Sequence, residues 1–86
     1  MADLDAEYRK ILSEEYSRRS TAKPYYSQNA FARFLGIDHT YLSKLLSGKI
    51  LLSLDVADKI TKKLKLPTEI RTKFLMSAAE ERSLKT

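Results

Sequence analysis

The sequence predicts an all-α fold: a compact bundle of about five helices in a single domain spanning residues 1–86. Three observations predict it. Apolar residues recur at helical spacing in five successive segments. Helix punctuation separates those segments, with Ser27, Asp38 and Ser53 as starts, Gly36 and Gly48 as stops, and Pro24 and Pro67 as breakers. The chain has 86 residues, enough for one small domain and not for two.

The first helix is expected over Leu4 to Ser20. Tyr8, Ile11, Leu12 and Tyr16 make one apolar stripe. Asp3, Asp5 and Glu7 near its start, and Arg18 and Arg19 near its end, suit the helix dipole. A connector from Ser20 to Tyr26 follows, broken by Pro24. The second helix starts at Ser27, a good N-cap, with Tyr26 and Phe31 placed as a hydrophobic staple. Gly36 ends it where a positive φ is required. Asp38 then caps the third helix, and Ile37 and Leu42 repeat the staple spacing.

The third helix, about 39–47, stops at Gly48. Lys49 to Leu52 reads as a short apolar connector folded onto the core. Ser53 caps a fourth helix with an inner stripe of Leu54, Ala57, Ile60 and Leu64. Lys59, Lys62 and Lys63 face outward. Pro67 opens a fifth helix at its first turn. Its apolar positions are Ile70, Phe74, Leu75 and Ala78, and Arg82 to Thr86 are expected to fray.

Composition removes several function classes. There is no cysteine, so no disulfide and no thiolate metal site, and the single histidine, His39, argues against a histidine zinc site. No apolar run is long enough to span a membrane. The acidic start, MADLDAEYRK, is unlike a signal peptide, so a cytoplasmic, nucleoid-associated protein is expected. No nucleophile–base pair or glycine-rich phosphate loop can be placed, and the chain is too short to enclose a substrate pocket, so no enzyme and no cofactor is expected.

Net charge is +5, and its distribution is informative. Residues 1–17 carry two basic and five acidic side chains, whereas residues 18–65 carry ten basic and three acidic ones. Positive charge therefore gathers on the segment holding the central helix pair. That is the footprint of a phosphate-binding surface, or of a solvated basic face on a small protein.

The stretch 27–47, SQNAFARFLGIDHTYLSKLLS, reads as two short helices held at a tight turn, with Ala32 where they would cross. Leucines anchor the second helix from behind. Its free face carries His39, Thr40, Ser43 and Lys44, which can all hydrogen-bond base edges. Asp38 reads as a cap, and Tyr25 and Tyr26 as packing residues. Tyr41 sits at the edge of the face and either touches DNA or closes the core.

Residues 28–66 resemble the lambda-repressor-like, Cro/C1-type helix-turn-helix family. The matching features are Gln28, Phe31-Ala32, Leu35-Gly36-Ile37, Leu42-Ser43 and Gly48-Lys49, then Ser53-Leu54 and Ala57 through Ile60 to Leu64. Leu46 stands where many members have an acidic residue, and Leu52 where many have proline. The order YS..FAR..G...YLS.LL.GK..LS, then K.LP..I...FL, is similar to the N-terminal region of longer predicted bacterial transcriptional regulators. That implies a stand-alone relative, or the DNA-binding part of a chain with a further domain.

The resemblance implies a five-helix bundle that places the third helix in the major groove of double-stranded DNA. His39, Thr40, Ser43 and Lys44 would then contact bases. Gln28, Ser47 and Lys49 would contact phosphates, with Arg18, Arg19, Lys23 and Arg33 as additions or as ordinary surface charges. Gln28 would also prop a recognition-helix side chain such as His39. The fifth helix would pair with a second copy through Leu75, Met76 and Ala79, unless these close the monomer core. Two other readings stand beside a repressor. One is a protein-interaction module built on Leu46 and Ile50 to Leu52, and the other is an antitoxin paired with a toxin.

Overall fold

Helix α1 spans Glu7–Ala22 in the computed structural model, which describes residues 6–85. The expected start at Leu4 lies outside the described residues; among those described, Ala6 is non-helical and its carbonyl accepts the first helical bonds, from Arg9 and Lys10. Asp3 and Asp5 lie outside the described residues. No side chain at Ala6 can cap this helix. Instead Ser77, far away in sequence, accepts the Tyr8 N–H at 2.9 Å. A distant hydroxyl does what a local serine usually does. Tyr8 and Leu12 are fully buried, with Ile11 and Tyr16 packed at the margin.

Helix α2 spans Gln28–Leu35, α3 His39–Leu46, α4 Leu54–Leu64 and α5 Thr68–Lys85. The expected caps are in place. Ser27 accepts the Ala30 N–H, Asp38 those of Thr40 and Tyr41, and Ser53 that of Val56. Tyr26 and Phe31 lie 6.3 Å apart, ring centre to ring centre, and Tyr16 joins them.

Helices α2, α3 and α4 end in the same way. Each closes with a left-handed residue and a pair of backward bonds that satisfy the last carbonyls. Gly36 has φ of 79°, and the Ile37 N–H reaches the Ala32 carbonyl at 3.0 Å. Gly48 has φ of 82°, and the Lys49 N–H reaches Lys44 at 2.9 Å. At α4 the left-handed residue is Lys65, with φ of 53°, and the Leu66 N–H reaches Thr61 at 3.2 Å.

The core gathers Tyr8, Leu12, Phe31, Ala32, Leu35, Leu42, Leu45, Leu52, Ala57, Ile60, Phe74 and Ala78. Helix α1 packs chiefly on α5 and α3, α2 on α3 and α4, and α4 on α5. The expected places of Leu54, Ile70 and Pro67 need correction. Leu54 is half exposed, because it opens α4 at the rim while Leu52 from the connector fills the core. Thr61 completes that stripe, with its hydroxyl spent on the Asp58 carbonyl at 2.8 Å. Ile70 is more than a third exposed, and Pro67 sits just before α5, lending its carbonyl to the Arg71 N–H. Helix α5 continues to Lys85, with Arg82 reaching the Leu52 carbonyl at 3.5 Å, and Thr86 lies outside the described residues.

Candidate nucleic-acid interface

Helix α3 presents two opposite faces. Leu42 and Leu45 are fully buried, and Tyr41 and Leu46 are half-buried. His39, Thr40, Ser43 and Lys44 are all exposed on the other side. The face is polar because every apolar position of this helix is used behind it. Asp38 Oδ2 holds the Thr40 N–H at 2.9 Å and the Tyr41 N–H at 3.4 Å, which fixes the first turn. The Tyr41 hydroxyl accepts the Ser53 N–H at 3.4 Å, so this tyrosine closes the interior beside α4.

The expected phosphate contacts separate into two groups. Lys23, Arg33, Lys44 and Lys49 are exposed and form no ion pair among the described residues. At the start of α2, Ser27 takes the Ala30 N–H, and the first-turn N–H groups of Gln28 and Asn29 stand at the positive end of the helix. Arg18 and Arg19, in contrast, both turn onto Glu15. The Arg19 guanidinium also lies 4.2 Å from the Phe34 ring centre, which ties α1 to α2. Ser47 donates its hydroxyl to the Lys44 carbonyl at 3.1 Å, so only its lone pairs face outward.

The charge of α4 is partly spent as well. Asp58 pairs with Lys62 and Arg71, each at 3.1 Å, and these two cations hold its carboxyl below the usual range. Lys59 bends to the Gly36 carbonyl at 3.3 Å and backs the α2–α3 turn. Tyr25 departs from expectation. The Tyr26 N–H bonds the Lys23 carbonyl at 2.9 Å, closing a turn over Pro24 and Tyr25. Tyr26 faces the core, and Tyr25 is left 97% exposed beside the α2 start.

Sequence reasoning missed a buried polar cluster beneath the far end of α3. Arg9 is only 5% exposed and Glu81 only 7%. Arg9 Nη1 meets Glu81 Oε2 at 2.9 Å, and Arg9 Nη2 meets the Tyr8 hydroxyl at 2.8 Å. The Tyr8 hydroxyl donates to Glu81 in turn. Burial, and then that bond to Glu81, push the Tyr8 phenol well above its ordinary range. Arg9 Nε reaches the Leu45 carbonyl of α3 at 2.7 Å, and Nη2 the Ile50 carbonyl at 3.4 Å. A signal for this was available. Glu81 falls in register with Phe74 and Ala78 on the inner stripe of α5, where a lone carboxylate needs a partner.

Leu46 and the connector are not a free apolar patch. Leu52 is fully buried, and Leu46 and Ile50 pack against the core margin. Leu46 also borders a shallow depression of about 270 Å³ with Arg9, Lys10, Ser13 and Glu14. No cluster of three or more potential metal ligands exists among the described residues, and no helix there is long and apolar enough to cross a membrane.

A short helix braced by another across a left-handed glycine turn, with a polar outer face and cationic flanks, defines a helix-turn-helix DNA-binding domain. The chain belongs to the Cro/C1-type helix-turn-helix family HTH_3, whose family model, described as helix-turn-helix, matches residues 23–70. Domains of this family bind DNA and typically have no catalytic activity. Neither the comparison with curated proteins nor that with solved structures produced a match.

Proposed function

We propose that the protein is a sequence-specific transcriptional regulator, most simply a repressor that occupies a promoter, with residues 1–86 acting as one DNA-binding domain. The observation that carries this is the outer face of α3: His39, Thr40, Ser43 and Lys44 lie exposed on a helix whose other face is locked by Leu42 and Leu45. In this reading α3 enters the major groove. Lys44 donates to guanine O6 and N7, Thr40 sets its methyl against thymine or bonds a base, and His39 and Ser43 read neighbouring edges.

Phosphates on either side are gripped by Gln28 with the α2 N–H groups, and by Ser47 and Lys49 after α3. Lys23 and Arg33, which form no ion pair among the described residues, add charge to that grip. Arg18 and Arg19 contribute less, because Glu15 already offsets them. Tyr25 stands where a phenol could reach the sugar-phosphate backbone next to Gln28. A lone domain makes few contacts, so useful affinity calls for two copies reading half-sites one helical turn apart. Met76, which is 57% exposed, with Ala79 and the half-buried Leu75, supports pairing through α5. The interaction-module reading loses support, because Leu52 is buried and Leu46 and Ile50 pack against the core margin.

Selection of bound duplexes from a random pool, followed by anisotropy titration, tests the proposal. Wild type should enrich a defined site. Lys44→Ala and Thr40→Ala should each weaken binding to that site by about 1–3 kcal/mol and relax preference at one position. Lys49→Ala should weaken all sequences alike and lower the salt slope by about one. If nothing is enriched, or both classes of variant bind as wild type does, the regulator reading is wrong.

A further inference from the structure

Helix α3 packs mainly on α2 and α1, whereas α5 packs mainly on α1 and α4. The tilt of α3 relative to α5 is therefore not set by direct packing of the two helices. A side chain of α1 links them. The Arg9 guanidinium holds the Glu81 carboxylate of α5 with Nη1 at 2.9 Å and Nη2 at 3.2 Å. Its Nε, on the adjoining edge, holds the Leu45 carbonyl in the last turn of α3 at 2.7 Å. Nη2 also reaches Ile50, just past the connector's Lys49.

We propose that Arg9 is a positioning residue of the DNA-reading surface. It fixes the C-terminal end of α3 and the connector carrying Lys49 at one angle to α5. This rests on the reading of α3 as the base-contacting helix.

Three features support the assignment. The guanidinium is planar, so bonds along its edges set a direction as well as a distance. The α3 end it holds is the negative end of the helix dipole, which a buried cation favours. The Leu45 carbonyl also accepts the Gly48 N–H at 3.2 Å, so Arg9 acts at the residue where α3 turns into the connector. If two copies pair through α5, the angle held by Arg9 also sets how two copies of α3 are spaced along DNA.

The test compares wild type with the double variant Arg9→Met/Glu81→Leu, which removes both charges of the pair together. Amide residual dipolar couplings in the free, full chain report the orientation of α3 relative to α5. Anisotropy reports preference for the selected site over a scrambled duplex.

The expected result has α1, α4 and α5 in one frame and α3 rotated out of it. Preference falls about tenfold, as for one lost base contact, with scrambled binding unchanged. Glu81→Gln keeps the shape of the cluster and should restore the wild-type orientation. An unmoved α3 in the double variant, with preference within about twofold of wild type, overturns the proposal. Should the double variant fail to fold, Arg9→Lys is read in the same way, since it keeps the charge and loses the fork; an unmoved α3 there is equally fatal. If wild type selects no sequence, the regulator reading falls, and the dipolar couplings alone decide whether Arg9 positions α3.

Discussion

The two ends of α3 are held by opposite means. At its start, Asp38 reaches two N–H groups within three residues of itself. At its end, the Leu45 carbonyl is met by Arg9, 36 positions away in the chain. The first is a local, solvent-exposed bond that a short peptide could form. The second exists only once α1, α3 and α5 have assembled, and it is buried. The helix proposed to read DNA is thus started by its own sequence and held at its far end by the rest of the fold.

That contrast is broken most severely at the buried end. Removing one partner alone, as in Glu81→Leu, leaves Arg9 charged and under-bonded in the interior. The expected cost is about 3–5 kcal/mol, a large share of the stability of so small a domain. Arg9→Met likewise leaves the Glu81 carboxylate in the interior without its guanidinium contacts. The double replacement should recover most of the loss, because the desolvation penalty of both ions disappears with them. Urea unfolding of the singles and the double, read as a mutant cycle, checks this. Additive losses would mean that the two side chains are not energetically a pair.

Alkaline pH probes the same cluster without a mutation. Tyr8 is held neutral in the fold above its ordinary range, while in the unfolded chain it ionises near pH 10. Above that pH the unfolded state has released a proton that the folded state keeps, so ionisation favours unfolding. The stability tied to Tyr8 is present below pH 10 and is lost as pH rises, by about 1.4 kcal/mol per unit. Tyr8→Phe should be less stable at neutral pH, because Glu81 and Arg9 each lose a bond, yet should show a shallower fall above pH 10. Urea midpoints at pH 8 and pH 11 for both proteins separate the two effects.

At the exposed end the stakes are smaller. Asp38→Ala should cost about 1 kcal/mol, the worth of an N-cap. Its effect should centre on the first turn of α3, so amide exchange at Thr40 and Tyr41 should speed up while the Leu45–Gly48 end stays protected. Uniform loosening of the whole helix would erase the distinction between a locally started and a remotely oriented helix.

What was legible in the sequence follows the same division. Ser27, Gly36, Asp38, Gly48 and Ser53 act on groups within a few residues, and their roles could be read from spacing alone. The exposed face of α3 was legible for a related reason, since leucines at helical spacing fix which side turns inward. The start of α1 was not, because its cap is Ser77 from α5. Nor was the division of the arginines. Arg18 and Arg19 look like free charge until Glu15 is seen between them. Arg9 lies next to Tyr8 in α1, and only the approach of α5 shows why it is buried. Tyr25 and Tyr26 are neighbours of one residue type, yet the turn at Pro24 sends one inward and the other to solvent.

The smallest predicted effect concerns the one helix end that breaks its own rule. Helices α2 and α3 close on glycine, and α4 closes on Lys65 in the same left-handed conformation. A side chain there crowds the following carbonyl, at about 1–2 kcal/mol. Glycine removes that strain but gains freedom in the unfolded chain, which returns about 0.4–1 kcal/mol of the benefit. Lys65→Gly should therefore stabilise the domain by roughly 0.5–1 kcal/mol, measurable as a higher urea midpoint at unchanged slope. Because Lys65 is exposed and forms no ion pair among the described residues, DNA preference should not change with it. A loss of affinity instead would mean that the lysine charge works at the nucleic-acid surface, and that the strained position was kept for it.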